Sequence, residues 1–167
     1  MRKFLFAAFL SVSSLAPAQD VPAPAYPQVK CYMSVVHPIV TIDTNGAAFN
    51  FDGSYVVGFP TGINILKSDK IGFSFEFAPF IKADTTGSKM SNLLFHPGIM
   101  FRFGHGFTII TRAAFETSGR YGVTPVFNKV VIERPKVKYF LAVGIPVRAG
   151  NYKPLSVGAA FQIGIAF

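Results

Sequence analysis

The sequence predicts an all-β fold, an antiparallel up-and-down barrel of about eight strands. Three observations carry that prediction. Leu155–Phe167 alternates without a break: every odd position is apolar, and every even one is Ser, Gly, Ala or Gln. A period of two gives a strand one greasy face and one tolerant face. The same parity recurs in four further runs, Ile71–Lys82, Leu93–Gly104, Phe107–Glu116 and Val137–Arg148. Finally, no stretch shows sustained 3.6-residue periodicity with caps, while 15 Gly, 12 Pro and 19 Phe favour turns and strands.

Along the chain, Arg2 and Lys3 precede a short apolar stretch, Phe4–Leu15, and then Ala16-Pro17-Ala18. A basic start, a brief apolar core and an A-x-A site predict a cleaved signal peptide over residues 1–18. The apolar stretch is too short to span a bilayer. Residues 19–30, with Pro22, Pro24 and Pro27, predict an extended lead-in. Residues 31–167 form one barrel domain. Three weaker runs join the five clear ones: about Tyr55–Leu66, Tyr32–Ile42 and Thr124–Glu133. Short connections are expected at Lys67–Lys70, His105-Gly106 and Arg134–Lys136. Longer ones are expected at Asp43–Gly53, Asp84–Asn92 and Thr117–Val123, with an intermediate one at Gly150–Pro154. Short turns alternating with longer loops on an even strand number are the pattern of a membrane barrel with both termini on one side.

Alternation alone does not say which face is inside. In a soluble lipocalin-like barrel the odd face would be the core. In a membrane barrel it would meet lipid. None of the odd positions of the five clear runs is charged, and they are uniformly bulky. The even positions carry Glu76, Lys82, Arg102, Arg112, Glu116, Lys138 and Arg148 among many Gly, Ala and Ser. Small residues suit a cramped lumen, whereas a soluble exterior would carry more Lys, Glu and Thr. Half of the chain is hydrophobic and only 14% is charged, against about a quarter charged in soluble domains. The expectation is therefore a closed transmembrane β-barrel whose odd face meets lipid. Pro60, Pro79, Pro97, Pro125 and Pro146 stand against simple strands, since each removes a ladder donor.

The seven even-position charges are the candidate lumen network. Buried charges need partners, so Glu76 and Glu116 are expected to pair with Arg102 and Arg112. No Ser–His arrangement, G-x-S-x-G or metal-ligand spacing appears around His37, His96 or His105, so no catalysis, metal or cofactor is expected. The single Cys31 cannot make an internal disulfide. The formal charge of +8 falls to +6 once Arg2 and Lys3 leave with the signal peptide. With no basic run interleaved with aromatics, that charge suits anionic lipid better than nucleic acid. Lys89, Arg120 and Tyr121, in expected external loops, suit lipopolysaccharide phosphate.

The signal peptide, the even strand count, the alternating loops and the terminal Phe161-Gln-Ile163-Gly-Ile165-Ala-Phe167 together resemble the small outer-membrane β-barrels of Gram-negative bacteria, the OmpX/OmpA-barrel type. The resemblance covers about Cys31 to Phe167. It implies that Phe161, Ile163, Ile165 and Phe167 form the signal read by the barrel-assembly machinery. It also implies an outer-membrane location among lipid and lipopolysaccharide. The expected role is structural or surface-interacting, as a monomer. The alternatives are a porin-like, narrow anion-favouring pore and a soluble periplasmic binder of apolar ligands.

Overall fold

The structure, a computed structural model, describes residues 25–167. The expected signal peptide and most of the lead-in lie outside the described residues. Eleven strands follow in order: β1 (Gln28–Asp43), β2 (Gly46–Phe49), β3 (Tyr55–Gly58), β4 (Thr61–Leu66), β5 (Ile71–Asp84), β6 (Gly87–Arg102), β7 (Phe107–Glu116), β8 (Tyr121–Glu133), β9 (Lys138–Gly144), β10 (Val147–Gly150) and β11 (Lys153–Ala166). All pairings are antiparallel. Counting β3 with β4, and β9 with β10, as interrupted single strands, the pairings run in a ring of eight. The ring is joined by β1 against β11, from Tyr32↔Ala166 to Ile42↔Val157. Phe167 and Cys31 extend that seam by exchanging two backbone hydrogen bonds of 2.9 Å. The first strand starts four residues before the expected Tyr32, because Gln28, Val29 and Lys30 already pair with Leu66, Ile65 and Asn64.

The parity of the faces runs around the whole ring. Among the described residues every buried side chain, from Tyr32 through Glu76, Leu94, Arg112 and Phe140 to Gln162, has an even number. Odd-numbered Phe77, Phe115 and Ile163 are about half exposed on the outside. The apolar face thus points outward, the reverse of a barrel with an apolar core.

Two expected weak strands read weakly because bulges break their alternation. The register of β1 shifts between Pro38 and Val40, so Thr41 opposes Gly158 and Ile42 opposes Val157 on the outer face. That of β8 shifts between Val130 and Ile132, so Ile132 opposes Tyr139 on the outer face. A bulge adds one residue on one strand and reverses the pattern beyond it.

The prolines also have an account. Pro60 and Pro146 occupy the breaks between β3 and β4 and between β9 and β10. Each break lies beside a second proline on the neighbouring strand: Phe59 N–H donates to the Pro79 carbonyl at 3.0 Å, and Ile145 N–H to that of Pro125 at 2.9 Å. The carbonyls of Pro60 and Pro146 accept from Ser34 and Gly158. Lost donors are therefore gathered at two places. Pro97 falls in a gap of the β6–β7 ladder between Phe95 and Gly98.

The expected long loop Asp84–Asn92 is instead strand. The pairing of β5 with β6 continues to Asp84↔Gly87 and turns over Thr85-Thr86. Gly87 supplies φ +132, and the Asp84 carboxylate accepts from the Thr86 amide at 2.9 Å and from the Thr86 hydroxyl at 2.5 Å. Those two bonds, led by the hydroxyl, hold the Asp84 carboxyl below its ordinary range. A second arm, β1 with β2, extends from Val40↔Phe49 to Asp43↔Gly46. Gly150–Pro154 is a tight turn with Asn151 and Tyr152 both at positive φ, the backbone of a two-residue hairpin.

The narrow interior is filled by setting large side chains against glycine. A Cβ at Gly62 would meet the Tyr32 ring at 2.6 Å and its hydroxyl at 2.5 Å, and one at Gly98 would meet Arg112 Cγ at 2.6 Å. Replacing Gly62 by Val should therefore cost about 1–3 kcal/mol through overpacking. Gly104→Ala, with nothing within 4 Å of the added Cβ, should stay within about 0.5 kcal/mol. Urea unfolding of the two variants side by side checks the pair.

Candidate functional site

The inner face holds an ion-pair plug between two apolar layers. Below it, towards the end of the ring that carries the start of β1 and the end of β11, lie Leu66, Met100, Ile110, Val126 and Phe140. Above it lie Ala78, Leu94 and Ala114 with Phe80. The plug is centred on Glu76 of β5, which is 3% exposed. Its Oε2 accepts from the Tyr32 hydroxyl at 2.8 Å and faces Arg112 Nη1 at 3.3 Å. Its Oε1 lies 2.9 Å from His96 Nδ1. A carboxylate only accepts, so Nδ1 carries the proton. In the neutral ring Nε2 then accepts from the Thr124 hydroxyl at 3.0 Å.

Arg112 reaches from β7 across Gly98 to the far wall. Its Nη2 donates to the Tyr32 hydroxyl and to Ser74 Oγ, both at 3.0 Å. The Arg112 guanidinium carbon sits 5.9 Å from the Tyr32 ring centroid, and that ring meets Phe140 edge-on at 6.2 Å. Side chains from β1, β6 and β7 thus converge on one carboxylate of β5, with Ser74 and Thr124 behind Arg112 and His96. Such a network needs every member satisfied, because a lone charge in this interior would be costly.

A second cluster closes the upper mouth. Arg148 Nε donates to Glu116 Oε1 at 2.8 Å, and Arg148 Nη1 donates to the carbonyls of Val123 and Val147. Ser118 donates to the other Glu116 oxygen at 2.9 Å. Arg120 turns inward and donates through Nη2 to the carbonyls of Arg148 and Pro154 and to Ser156 Oγ, each at 3.0 Å. It is therefore committed to this mouth rather than free for an external phosphate. Lys89 is exposed on the β5–β6 arm, and Tyr121 is exposed on the outer face.

The seven expected lumen charges thus fall into separate groups. Glu76 and Arg112 meet in the plug. Glu116 pairs with Arg148, not with Arg102 or Arg112. Arg102 is at the opposite end of β6 from Glu116, paired with Thr108 in register. Lys138 forms an ion pair with Glu133 at the lower rim. Lys82 stands on the protruding arm opposite Lys89. Adjacency in sequence pattern misled here, because Arg112 spans the interior instead of pairing with its neighbour strand. Tyr32, Ser74, His96 and Thr124 complete the plug, and their even numbering is the signal that marks them.

Of the other histidines, His37 accepts from or donates to the Tyr55 hydroxyl through Nδ1 at 2.7 Å, and His105 lies in the turn Gly104–Gly106. Of the expected assembly signal, Phe161, Ile163 and Ile165 are on the outer-face side of β11, where Ile163 opposes Val35 and Leu141, and Phe167 follows the strand and borders the lower cavity. Among the described residues no group of three or more His, Cys, Asp or Glu could hold a metal ion.

The plug divides the interior. An upper cavity of about 260 Å³ ends on Glu76, His96 and Arg112. A lower one of about 520 Å³ ends on Tyr32 and Arg112. Glu76→Ala should cost about 3–5 kcal/mol by leaving Arg112 buried without a counter-charge. Replacing both Glu76 and Arg112 by Met should recover most of that loss, as read from denaturant midpoints of the two variants.

The sequence matches no known family and no curated protein. Among solved structures, the chain is similar to a de novo designed protein, TMB2.3, determined by solution NMR, with TM-score 0.53 and 11% identity over 84% of this chain and 93% of that one. A structure described as de novo design of transmembrane β-barrels overlaps with TM-score 0.47 and 14% identity, over 86% of this chain and 97% of that one. At such identity the first of these likenesses is one of fold alone, an all-β antiparallel sheet.

Proposed function

We propose that this chain is an integral outer-membrane β-barrel, closed, monomeric and blocked along its axis, with a structural or surface-interaction role and no catalytic activity. The observation that carries the reading is the outward apolar face on a ring whose buried residues are all on the other parity. In water, a continuous apolar belt of this size would drive association. In a bilayer it is the surface that lipid requires, and a ring leaves no backbone edge unpaired in hydrocarbon. Rows of aromatic residues support two interfaces. Phe77, Phe95 and Phe115 oppose one another across β5, β6 and β7, with centroids 5.0 and 6.4 Å apart. Phe103 and Phe107 pair at 5.9 Å near the lower turns. From Phe95 to Phe103 the chain runs about 26 Å at the usual strand rise, or roughly 20 Å of height at a tilt of about 40°, somewhat less than the apolar band of about 25 Å in such barrels.

In this reading the lower turns face the periplasm, while the two arms and the upper turns face outward, where they meet lipopolysaccharide or a surface partner. Phe161, Ile163, Ile165 and Phe167 serve the barrel-assembly machinery. The plug supports a barrel that does not conduct.

The fractionated protein should sediment with outer membranes and migrate faster on a detergent gel before boiling than after. A chain that stays in solution without detergent overturns the reading. In planar bilayers the protein should give no opening above leak. Phe167→Ala keeps the backbone bonds to Cys31, so it should reduce the assembled fraction in cells severalfold while leaving urea stability in detergent nearly unchanged.

A further inference from the structure

We propose that the lower vestibule is a binding site for a small amphiphilic phosphate, with its charged head at the rim and an apolar group on the floor. The cavity of about 520 Å³ falls within the range of about 300–1,000 Å³ typical of ligand pockets. Its two ends differ in chemistry. The rim carries Lys30, Arg102, Arg134, Lys136 and Lys138 around one acidic side chain, Glu133. Glu133 is already paired with Lys138. Among the described residues, Lys30, Arg102, Arg134 and Lys136 have no carboxylate within ion-pair distance. The floor is Leu66, Met100, Ile110 and Phe140, backed by Tyr32 and Arg112 of the plug.

That arrangement is not what a merely solvated mouth requires. At the upper mouth acids and bases come close to balance: Glu116 meets Arg148, Asp43, Asp52 and Asp84 accompany Lys82, Lys89 and Lys153, and the one further cation, Arg120, is spent on carbonyls and Ser156. At the lower mouth five cations from β1, β6, β9 and the β8–β9 turn gather around a single acidic side chain, Glu133, which Lys138 already engages. Guanidinium and ammonium groups converging on one space suit a dianionic head with several acceptor oxygens. The apolar floor beneath them holds water poorly and gains by receiving an apolar group. The source is a free solute rather than bilayer lipid, because Lys30, Arg102 and Lys138 stand at inner-face positions, turned away from the outer apolar belt. The floor is a dead end, so the site retains a ligand rather than passing it. None of this depends on which solvent meets the outer face.

Phenyl phosphate is a suitable probe, since it is soluble and does not form micelles. The full mature chain is embedded in nanodiscs of zwitterionic lipid, or kept in buffer if it proves soluble, and titrated while the methionine methyl resonances are followed. Met100 is inside, whereas Met33 and Met90 are exposed on other surfaces. The expected result is a saturable shift of Met100 alone, with tighter binding than inorganic phosphate or phenol gives separately. Arg102→Gln with Lys30→Gln should weaken the affinity about tenfold or more, and raised salt should weaken it further. Leu66→Ser should reduce binding of phenyl phosphate towards that of inorganic phosphate. The proposal is overturned if Met100 does not move, if inorganic phosphate binds equally well, or if the rim variant binds like the parent. It is also overturned if the wild type responds only to anionic lipid added to the nanodisc. Heat-modifiable migration of each variant verifies that the ring is intact.

Discussion

The structure depends on how little room eight strands leave inside. A ring of this size accommodates only packed side chains, so each large inward group needs a vacancy opposite. Gly62 provides it for Tyr32, Gly98 for Arg112, and Gly164 for Phe140, whose ring edge an added Cβ would meet at 2.7 Å. Once the interior is confined to small residues and a few spanning ones, the bulk of the apolar mass has nowhere to go but outward. The exposed phenylalanines are thus a consequence of interior volume as much as of the solvent they face.

The same confinement shapes the electrostatics. In mid-barrel a carboxylate cannot rely on water, and Glu76 is met by a guanidinium, a phenol and an imidazole at once. Towards each mouth the demand relaxes, and the two mouths relax differently. The upper one spends its arginines on Glu116 and on carbonyls left free where the strands end. The lower one leaves cations unmatched above an apolar floor. The barrel therefore has a polarity along its axis that its outer face does not reveal.

Much of this was legible in the residues. The parity of β5, β6, β7, β9 and β11 follows from their alternation, and the orientation of the faces follows from the small residues at even positions. Two kinds of information were not local. Bulges at Ile39 and Val131 reverse the pattern within β1 and β8, which makes real strands look weak. The composition of Asp84–Asn92 resembles a loop, yet Thr85-Thr86-Gly87 needs only a two-residue turn to continue the ladder. Pairing inside the lumen was misjudged because it is set by side-chain reach across the ring. Arg112 finds Glu76 two strands away, while Arg102, on the strand adjacent to β5, is too far down the axis. The prolines looked like five separate defects because the lateral neighbour of each is a matter of register.

The seam between β1 and β11 has a kinetic consequence. It joins the segments farthest apart along the chain, so it is the pairing with the greatest loop-closure cost. All other neighbours in the ring are local hairpins that can form in succession. Until the last pairing is made, the sheet has two raw edges, and unpaired edges invite association with other chains. Loop closure therefore favours a ring that forms its β1–β11 seam last, so that a nearly complete ring open along that one line is the last form with unpaired backbone edges.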